Sequence, residues 1–347
     1  MSASNAVEQL DNKVLEAYLS QHLEGFTGPI KASKFSGGQS NPTFKLETPT
    51  QTYVLRRQPP GKLLKSAHAV DREFKVLAAL QHSNVPVAQV FHLCEDTSVL
   101  GSMFYIMEYV AGRVFWDSSL PEISDKQQRA QMYQQMIEVL VALHTVDIDK
   151  VGLSDYGRPG NYFERQFSRW SQQYELSVTH DIPEMNALIL WLEQHLPPDD
   201  GRMSLVHGDY RMDNLMFHPS EPKIMAVLDW ELSTLGHPFA DLAYQCMQLR
   251  LPENVGKATG LGGVDRAALG IPSEKEYVAS YCQLMGIEHI ANWNFYLAFS
   301  FFRLAAIAQG VAKRAQDGNA SNKEALKIGA IVQPLAQYAL GLTHDKE

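Results

Sequence analysis

The sequence has few cysteines and lacks the features of a secreted protein. Its three cysteines, Cys94, Cys246 and Cys282, lie far apart in 347 residues, so they show no metal-ligand spacing and cannot all pair into disulfides. This usage is typical of the reducing cytoplasm, which is the location that we expect. The N-terminal segment 9–23 is amphipathic and charged, so we expect no secretory leader there.

An uninterrupted apolar run and a basic block are also missing. The most apolar stretch, 293–311, contains Asn294 and Arg303, which favours a buried helix over a membrane span. The net charge is −9, from 39 acidic and 30 basic residues, and basic pairs such as Arg56 and Arg57 are too small to follow a nucleic-acid backbone. We therefore predict no membrane partner and no nucleic-acid partner, and a monomer or a homodimer.

Length and hydrophobic content indicate a folded chain of two parts. With 45% apolar residues, 347 positions exceed one comfortable hydrophobic core. Residues 30–58 have the alternation and turns of a three-stranded antiparallel meander, and a helix opening at Ser66 and two more strands follow. We predict an α+β fold in three segments: an N-terminal helix (1–27), a small antiparallel-sheet lobe (28–110) and a mainly helical lobe (111–347).

A compact insertion among the helices of the second lobe carries the chemistry. Residues 206–215 match the His-x-Asp-x-x-x-x-Asn catalytic loop of kinases, and Asp229 follows at the end of an apolar strand. Phosphoryl transfer needs a carboxylate that orients the attacking hydroxyl and accepts its proton, and oxygen ligands for magnesium. Asp209 fits the base, while Asn214 and Asp229 fit the metal ligands. We expect His207 to support the loop by packing and hydrogen bonds.

A structural interpretation competes with this one. Asp and Asn residues often satisfy the backbone of turns, and an aspartate can end a strand without any chemistry. The loop pattern alone is a moderate signal. The β-rich lobe upstream and the strand-borne Asp229 downstream favour the catalytic interpretation.

The chain resembles the aminoglycoside phosphotransferase and choline kinase-like family of small-molecule kinases. The similarity runs from about residue 28 to the C-terminal helices. Its marks are four short motifs: His207-Gly-Asp209 with Asn214, Asp229-Trp-Glu, Gly236-His-Pro and Asp241-Leu-Ala.

This resemblance implies a protein-kinase-like two-lobed fold and a reaction. The γ-phosphate of ATP or GTP would pass, with Mg²⁺, to the hydroxyl of a small molecule. The resemblance implies that Asp209 is the catalytic base and that Asn214 and Asp229 bind the magnesium. It also implies that Asp241 braces the catalytic loop through backbone hydrogen bonds.

Two charged residues of the first lobe, Arg56 and Glu73, are predicted to form the phosphate-binding ion pair. Arg56 stands on the third strand, where the family usually has a lysine that binds the α- and β-phosphates. Strand alternation puts Arg56 and Arg57 on opposite faces, and Arg56 is the better candidate to face the nucleotide. An arginine still supplies fixed charge and two-pronged contacts. Glu73 resembles the acidic partner of this cation, although it could also be an ordinary helix glutamate.

Backbone groups complete the predicted nucleotide site. Gly37, Gly38 and Ser40 belong to a turn that lies where a phosphate-covering turn is expected, with small residues and N–H groups. The segment after the fifth strand resembles the kinase hinge. There the backbone carbonyl of Glu108 and the backbone N–H of Val110 would bind the adenine edge.

The acceptor is predicted to be a small molecule. Only residues 230–240 separate Asp229 from Asp241, which is too short for the peptide-docking segment of a protein kinase. Residues 241–347 hold ten acidic and ten basic residues, so the acid-rich pocket that polycationic aminoglycosides need is not indicated. A pocket lined by aromatic and basic residues would instead suit an acidic or partly apolar alcohol. The candidates, which could also serve only in packing, are Tyr162, Arg165, Trp170, Arg250, Trp293 and Arg303.

Two functions remain open at this point. Similarity to kinase-like domains joined to acyl-CoA dehydrogenases, in Val54-Leu-Arg-Arg57 and Asp229-Trp-Glu, implies a hydroxyacyl-CoA as one candidate acceptor of an active kinase. The alternative is a nucleotide-binding pseudo-kinase or regulatory protein without turnover, which Arg56 in place of lysine keeps open.

Overall fold

The computed structural model describes residues 10–35, 41–59, 68–158, 160–252, 260–317 and 328–343. Within them the chain forms a sheet-containing first lobe and a mainly helical second lobe. Gly37, Gly38 and Ser40 lie outside the described residues. The predicted α+β class and two-lobed architecture are confirmed.

The first lobe is a five-stranded antiparallel sheet with strand order β1-β2-β3-β5-β4. The meander and the two later strands were predicted, whereas α3 was missed because it is a single turn. Ser66, predicted to open the second helix, lies outside the described residues. The elements are α1 Asn12–His22, β1 Lys31–Lys34, β2 Thr43–Glu47, β3 Thr52–Arg57, α2 Val70–Leu80, β4 Val90–Cys94, α3 Thr97–Leu100 and β5 Phe104–Glu108.

Helices cover both faces of this sheet. Leu15 and Leu19 of α1 are fully buried in a cluster with sheet residues such as Phe44. On the other face, Val76 and Leu77 of α2 belong to a core that continues into the second lobe. The N-terminal helix thus packs on the sheet, and α2 is held between the sheet and the second lobe.

The second lobe contains eight helices and four short strands among the described residues. The strands form two antiparallel pairs, β6 with β9 and β7 with β8. The predicted helical character of this lobe and the apolar strand before Asp229 (β8) are confirmed, and β9 was missed. The elements are α4 Lys126–His144, α5 Tyr162–Ser177, α6 Pro183–Gln194, β6 Ser204–Val206, β7 Leu215–Phe217, β8 Ile224–Val227, β9 Thr234–Gly236, α7 Phe239–Arg250, α8 Arg266–Leu269, α9 Glu274–Met285, α10 Trp293–Gln316 and α11 Val332–Leu342.

Helix α10 is the central helix of this lobe. By length and composition alone it could cross a membrane, but 83% of its most apolar window is buried inside the protein. It packs against α5, α7 and α11. The predicted buried helix is therefore confirmed.

Candidate active site

The β7–β8 hairpin brings the two predicted metal ligands together. Asn214 directly precedes β7, and Asp229 lies just past the end of β8. Leu215 is paired with Val227, and the backbone N–H of Leu228 donates to the carbonyl of Asn214 over 2.8 Å. Because antiparallel strands place the start of one beside the end of the other, the two side chains share one end of the hairpin.

Asn214 also fixes the predicted base. Its Nδ2 donates to the backbone carbonyl and to Oδ2 of Asp209, both over 2.9 Å. Since both bonds use the amide nitrogen, Oδ1 of Asn214 is the oxygen left for a cation. Asp229 adds a carboxylate that is 37% exposed. These oxygen donors fit Mg²⁺, which prefers a few carboxylate or amide oxygens together with phosphates.

Asp241, at the start of α7, holds the backbone of the catalytic loop. Its Oδ2 accepts from the N–H of His207 over 2.6 Å, and its Oδ1 accepts from the N–H of Gly208 over 2.8 Å. Burial acts to raise the pKa of Asp241, but hydrogen bonds from His144 and the loop backbone outweigh it and lower the pKa. The carboxylate therefore stays charged and keeps the loop in place.

His207 connects the catalytic loop to the strand that leads to Asp229. Its Nδ1 lies 3.2 Å from the N–H of Asp209, and its Nε2 lies 2.8 Å from the carbonyl of Leu228. A neutral ring protonated at Nε2 satisfies both contacts. The fully buried ring also meets Trp230 edge-on, with centroids 4.9 Å apart. His207 thus lies in a supporting position.

The structure adds Arg211, which the sequence analysis did not single out. Its Nε lies 3.3 Å from Oδ1 of Asp209, and its Nη2 lies 3.0 Å from Oδ2 of Asp213. Burial raises the pKa of Asp213, and the charge of Arg211 opposes this shift. Arg211 could have been identified from the sequence, because it is a basic residue inside the loop motif, two positions after Asp209.

Arg56 links the two lobes. Its Nε lies 2.6 Å from Oε2 of Glu73, and its Nη2 lies 2.7 Å from Oδ1 of Asp229. Burial acts to lower the pKa of Arg56, but the charges of these carboxylates outweigh it and raise the pKa. Arg57 points elsewhere, with its guanidinium 5.5 Å from the ring of Phe44. The two arginines thus occupy opposite faces, and Arg56 faces the cleft.

Glu73 is the buried centre of a wider network. Besides Arg56, it accepts from the hydroxyl of Tyr105 over 3.1 Å and from Nδ2 of Asn41 over 2.7 Å. Nδ1 of His68 lies 3.0 Å from Oδ1 of Asn41. Burial raises the pKa of Glu73, and Arg56 opposes the shift. Asn41 and Tyr105 were not predicted as site residues, because their contacts join residues 32 positions apart.

The predicted hinge lies at the connection between the lobes. Glu108 is the last residue of β5, and Val110 follows it. The N–H of Glu108 donates to the carbonyl of Gln89 over 2.7 Å, and Oε2 of Glu108 accepts from the N–H of Gln89 over 3.2 Å. These contacts fix the segment to the sheet, and its adenine contacts stay a prediction.

Some of the predicted acceptor residues lie beside the catalytic loop. Nη2 of Arg303 donates to the carbonyl of Gly208 over 2.7 Å. The same guanidinium lies 5.7 Å from the Trp170 ring and 5.3 Å from the Tyr244 ring. Burial raises the pKa of Tyr162, and the charge of Arg303 opposes this shift. A cation flanked by aromatic rings therefore lies next to Asp209.

Other members of that predicted set lie elsewhere. Arg250 and Trp293 meet at Glu274, with Nη2 of Arg250 2.6 Å and the indole nitrogen 3.0 Å from its Oε1. They line a cavity of about 820 Å³ with residues of α9, including Lys275. Arg165, the remaining residue of the set, donates to the carbonyl of Gly160 on the surface. The predicted acceptor residues therefore do not form one pocket.

A small antiparallel-sheet lobe, a helical lobe and acidic residues at their junction define a protein-kinase-like fold. The chain belongs to the phosphotransferase enzyme family, whose family model matches residues 31–271. The predicted family resemblance is confirmed.

The chain is similar to proteins that have different names. Acyl-CoA dehydrogenase family member 10 of Mus musculus is 46% identical over 327 residues, covering 94% of this chain and 30% of that protein. A candidate aminoglycoside phosphotransferase of Ralstonia eutropha is 50% identical, with a TM-score of 0.89 and coverage of 98% of this chain and 100% of that one. The chain spans 30% to 44% of the length of such acyl-CoA dehydrogenase family members.

A more distant structure shows the fold alone. A thermostable mutant of aminoglycoside phosphotransferase APH(4)-Ia, solved with AMP-PNP and hygromycin B, is 16% identical with a TM-score of 0.60, covering 96% of this chain and 99% of that one.

Proposed function

We propose that this protein is an ATP-dependent phosphotransferase that moves the γ-phosphate to the hydroxyl of a small molecule. The observation that carries the proposal is the arrangement of three side chains. Asp209 is anchored by Asn214, and Asn214 shares the end of a hairpin with Asp229. Arg56 connects Asp229 to Glu73 across the cleft.

The roles of these residues follow from what phosphoryl transfer requires. Asp209 accepts the proton of the acceptor hydroxyl as its oxygen bonds to the γ-phosphorus and the bond to the ADP oxygen breaks. Mg²⁺ held by Asn214 and Asp229 would neutralise charge on the phosphates. Arg56 supplies a fixed positive charge for the α- and β-phosphates. Arg303 supports the loop through the Gly208 carbonyl beside the base.

The acceptor that we favour is an acidic or partly apolar alcohol, with a hydroxyacyl-CoA as the first candidate. Arg211 and Arg303 place positive charge next to Asp209, which suits a negatively charged acceptor better than an aminoglycoside. The names of the acyl-CoA dehydrogenase relatives support a thioester. AMP-PNP in the APH(4)-Ia structure supports ATP as the donor.

The alternative is a nucleotide-binding protein without turnover, favoured by an arginine at the usual lysine position. The contacts of Arg56 weigh against it, because this arginine keeps the acidic partner expected of a phosphate-binding cation. A cytoplasmic location fits the three buried free cysteines. This location and a monomeric or homodimeric state are parts of the proposal.

The test is an ADP-release assay with MgATP and pooled hydroxylated metabolites, including hydroxyacyl-CoAs, choline and aminoglycosides. Asp209→Ala is the control variant. Acceptor-dependent ADP release that is absent from the control is the expected result, and the active pool identifies the acceptor class. ATP binding without ADP release in any pool, by wild type as by Asp209→Ala, would favour the non-catalytic alternative.

A further inference from the structure

A second set of contacts, separate from Arg56, joins helix α2 to the second lobe. Nη2 of Arg72 donates to the carbonyl of Tyr156 over 2.9 Å, and its guanidinium carbon lies 4.2 Å from the Tyr156 ring. The hydroxyl of Tyr156 lies 3.2 Å from the carbonyl of Arg72. Tyr156 belongs to the segment between α4 and α5, so this contact crosses between the lobes.

The same tyrosine reaches the segment that follows Asp229. Its hydroxyl lies 2.8 Å from Oγ of Ser233, and that Oγ donates to the carbonyl of Trp230 over 2.6 Å. The hydroxyl of Tyr156 has one proton, which the carbonyl of Arg72 accepts or, when Ser233 donates to Trp230, Oγ of Ser233 accepts. Tyr156 and Ser233 are buried, at 2% and 4% exposure, so water does not compete readily for these bonds.

These contacts close a ring through the nucleotide site. Arg72 and Glu73 are consecutive on α2, and Asp229 and Trp230 are consecutive on the other side. One connection between the two pairs is Arg56, and the other is the bridge formed by Arg72, Tyr156 and Ser233. The proposed function requires Arg56 and Asp229 to bind nucleotide phosphates and metal, so the direct ion pair between them has to loosen.

We propose that Arg72, Tyr156 and Ser233 are positioning residues that hold α2 in register with Asp229 while Arg56 and Asp229 engage MgATP. The inference rests on the proposed function. The interlobe bridge keeps Glu73 in place when the ion pair between Arg56 and Asp229 opens. Arg56 therefore stays bound to Glu73. Apart from the guanidinium of Arg72, the bridge uses hydroxyl and backbone groups.

Two variants and one matched control test the bridge. Tyr156→Phe and Ser233→Ala each remove a hydroxyl and keep the packing. Lys75→Gln removes an exposed ion pair of 2.7 Å to Asp155, which joins the same two segments without reaching residues 230–233. MgATP affinity is measured by calorimetry without an acceptor, and hydrogen exchange of the α2 amides is measured in the free protein.

We expect Tyr156→Phe and Ser233→Ala each to weaken MgATP binding by about 3- to 10-fold, the usual effect of one buried hydrogen bond. The double variant should be little worse than either single one, because both break the same connection. Exchange should rise in α2 and stay unchanged in α10. Lys75→Gln should leave both quantities within about twofold of wild type, since exposed ion pairs contribute little.

The outcomes separate the bridge from the proposed function. Wild-type affinity in both variants, an equal effect of Lys75→Gln, or a uniform rise of exchange in α2 and α10 would overturn the bridge. A wild-type chain that does not bind MgATP would refute the proposed function and this role of the bridge with it. Faster α2 exchange in the free variants would then show that the contacts only secure the helix.

Discussion

At the scale of single residues, Asp209 and Asp229 are two carboxylates of one cleft with different neighbours. Asp209 is held by the amide of Asn214 and lies beside Arg211. Asp229 adopts a left-handed backbone conformation, with φ of 62°, and faces Arg56. In the proposed function, the first carboxylate faces the acceptor, and the second faces the phosphates and their metal.

This difference predicts different effects of the same substitution. Asp209→Asn should lower kcat by about 10²- to 10⁴-fold, the usual contribution of general-base catalysis, and leave MgATP affinity near wild type. Asp229→Asn should lower turnover and also weaken MgATP binding by about tenfold or more, because a metal ligand is lost. Turnover assays and calorimetry measure the two effects. Equal losses of affinity in both variants would contradict the assignment of roles.

Glu73 predicts a pH dependence of nucleotide affinity. Burial raises the pKa of this carboxyl above its ordinary value of 4.5, with Arg56 opposing. Acidification therefore begins to protonate Glu73 above pH 4.5, and Arg56 then loses the charge that holds it. MgATP affinity, measured by calorimetry, should fall as the pH drops through this window. Glu73→Gln should bind weakly at neutral pH and lose this part of the pH dependence, whereas an unchanged profile would contradict the role of Glu73.

At the scale of elements, the catalytic loop depends on a glycine for its shape. Gly208 has φ of 84°, and a Cβ there would lie 2.7 Å from the carbonyl oxygen of Leu232. Gly286, at the end of α9, has φ of 67°, and a Cβ there would meet nothing within 4 Å. An alanine at either position would have the strain of a left-handed backbone conformation, but only an alanine at position 208 would also clash with Leu232.

Gly208→Ala should therefore destabilise the protein by about 2–3 kcal/mol and disturb the loop, whereas Gly286→Ala should cost about 1 kcal/mol. Chemical denaturation gives the free energies of unfolding. The turnover of Gly208→Ala should fall much more than that of Gly286→Ala, because only Gly208 adjoins Asp209. Comparable effects of the two alanines would show that the contact with Leu232 relaxes easily.

Elements with a long periodic pattern were predictable from the sequence, and short ones were not. The strands of the meander repeat their apolar residues often enough to be recognised, and the apolar stretch of α10 is long enough to predict a buried helix. The strand β9 has three residues, too few for a period, and is formed only because β6 lies beside it. The site follows the same rule: Asp209, Asn214 and Asp229 stand in a motif, whereas Tyr156 and Ser233 meet across 77 positions. Contacts of that kind depend on tertiary structure.

At the scale of the whole molecule, the two lobes share one hydrophobic core. The cluster that contains Val76 and Leu77 of α2 also contains Met132 of α4 and Phe302 of α10. Arg56 and the interlobe bridge join the lobes a second and a third time. A nucleotide bound in the cleft is therefore expected to stabilise both lobes together rather than the sheet lobe alone.

Thermal unfolding tests this coupling. MgATP at 100 times its Kd stabilises the folded state by about 2.7 kcal/mol, which corresponds to a rise in Tm of about 4 °C for a chain of this size. We expect one transition that shifts as a unit in calorimetry, and at most about half of that shift in Asp229→Asn at the same MgATP concentration, because its binding is weaker by about tenfold or more. Two transitions, of which only one moves, would mean that the shared core does not couple the lobes. Asp209→Ala should keep the full shift, because its side chain is assigned to the acceptor and not to the nucleotide.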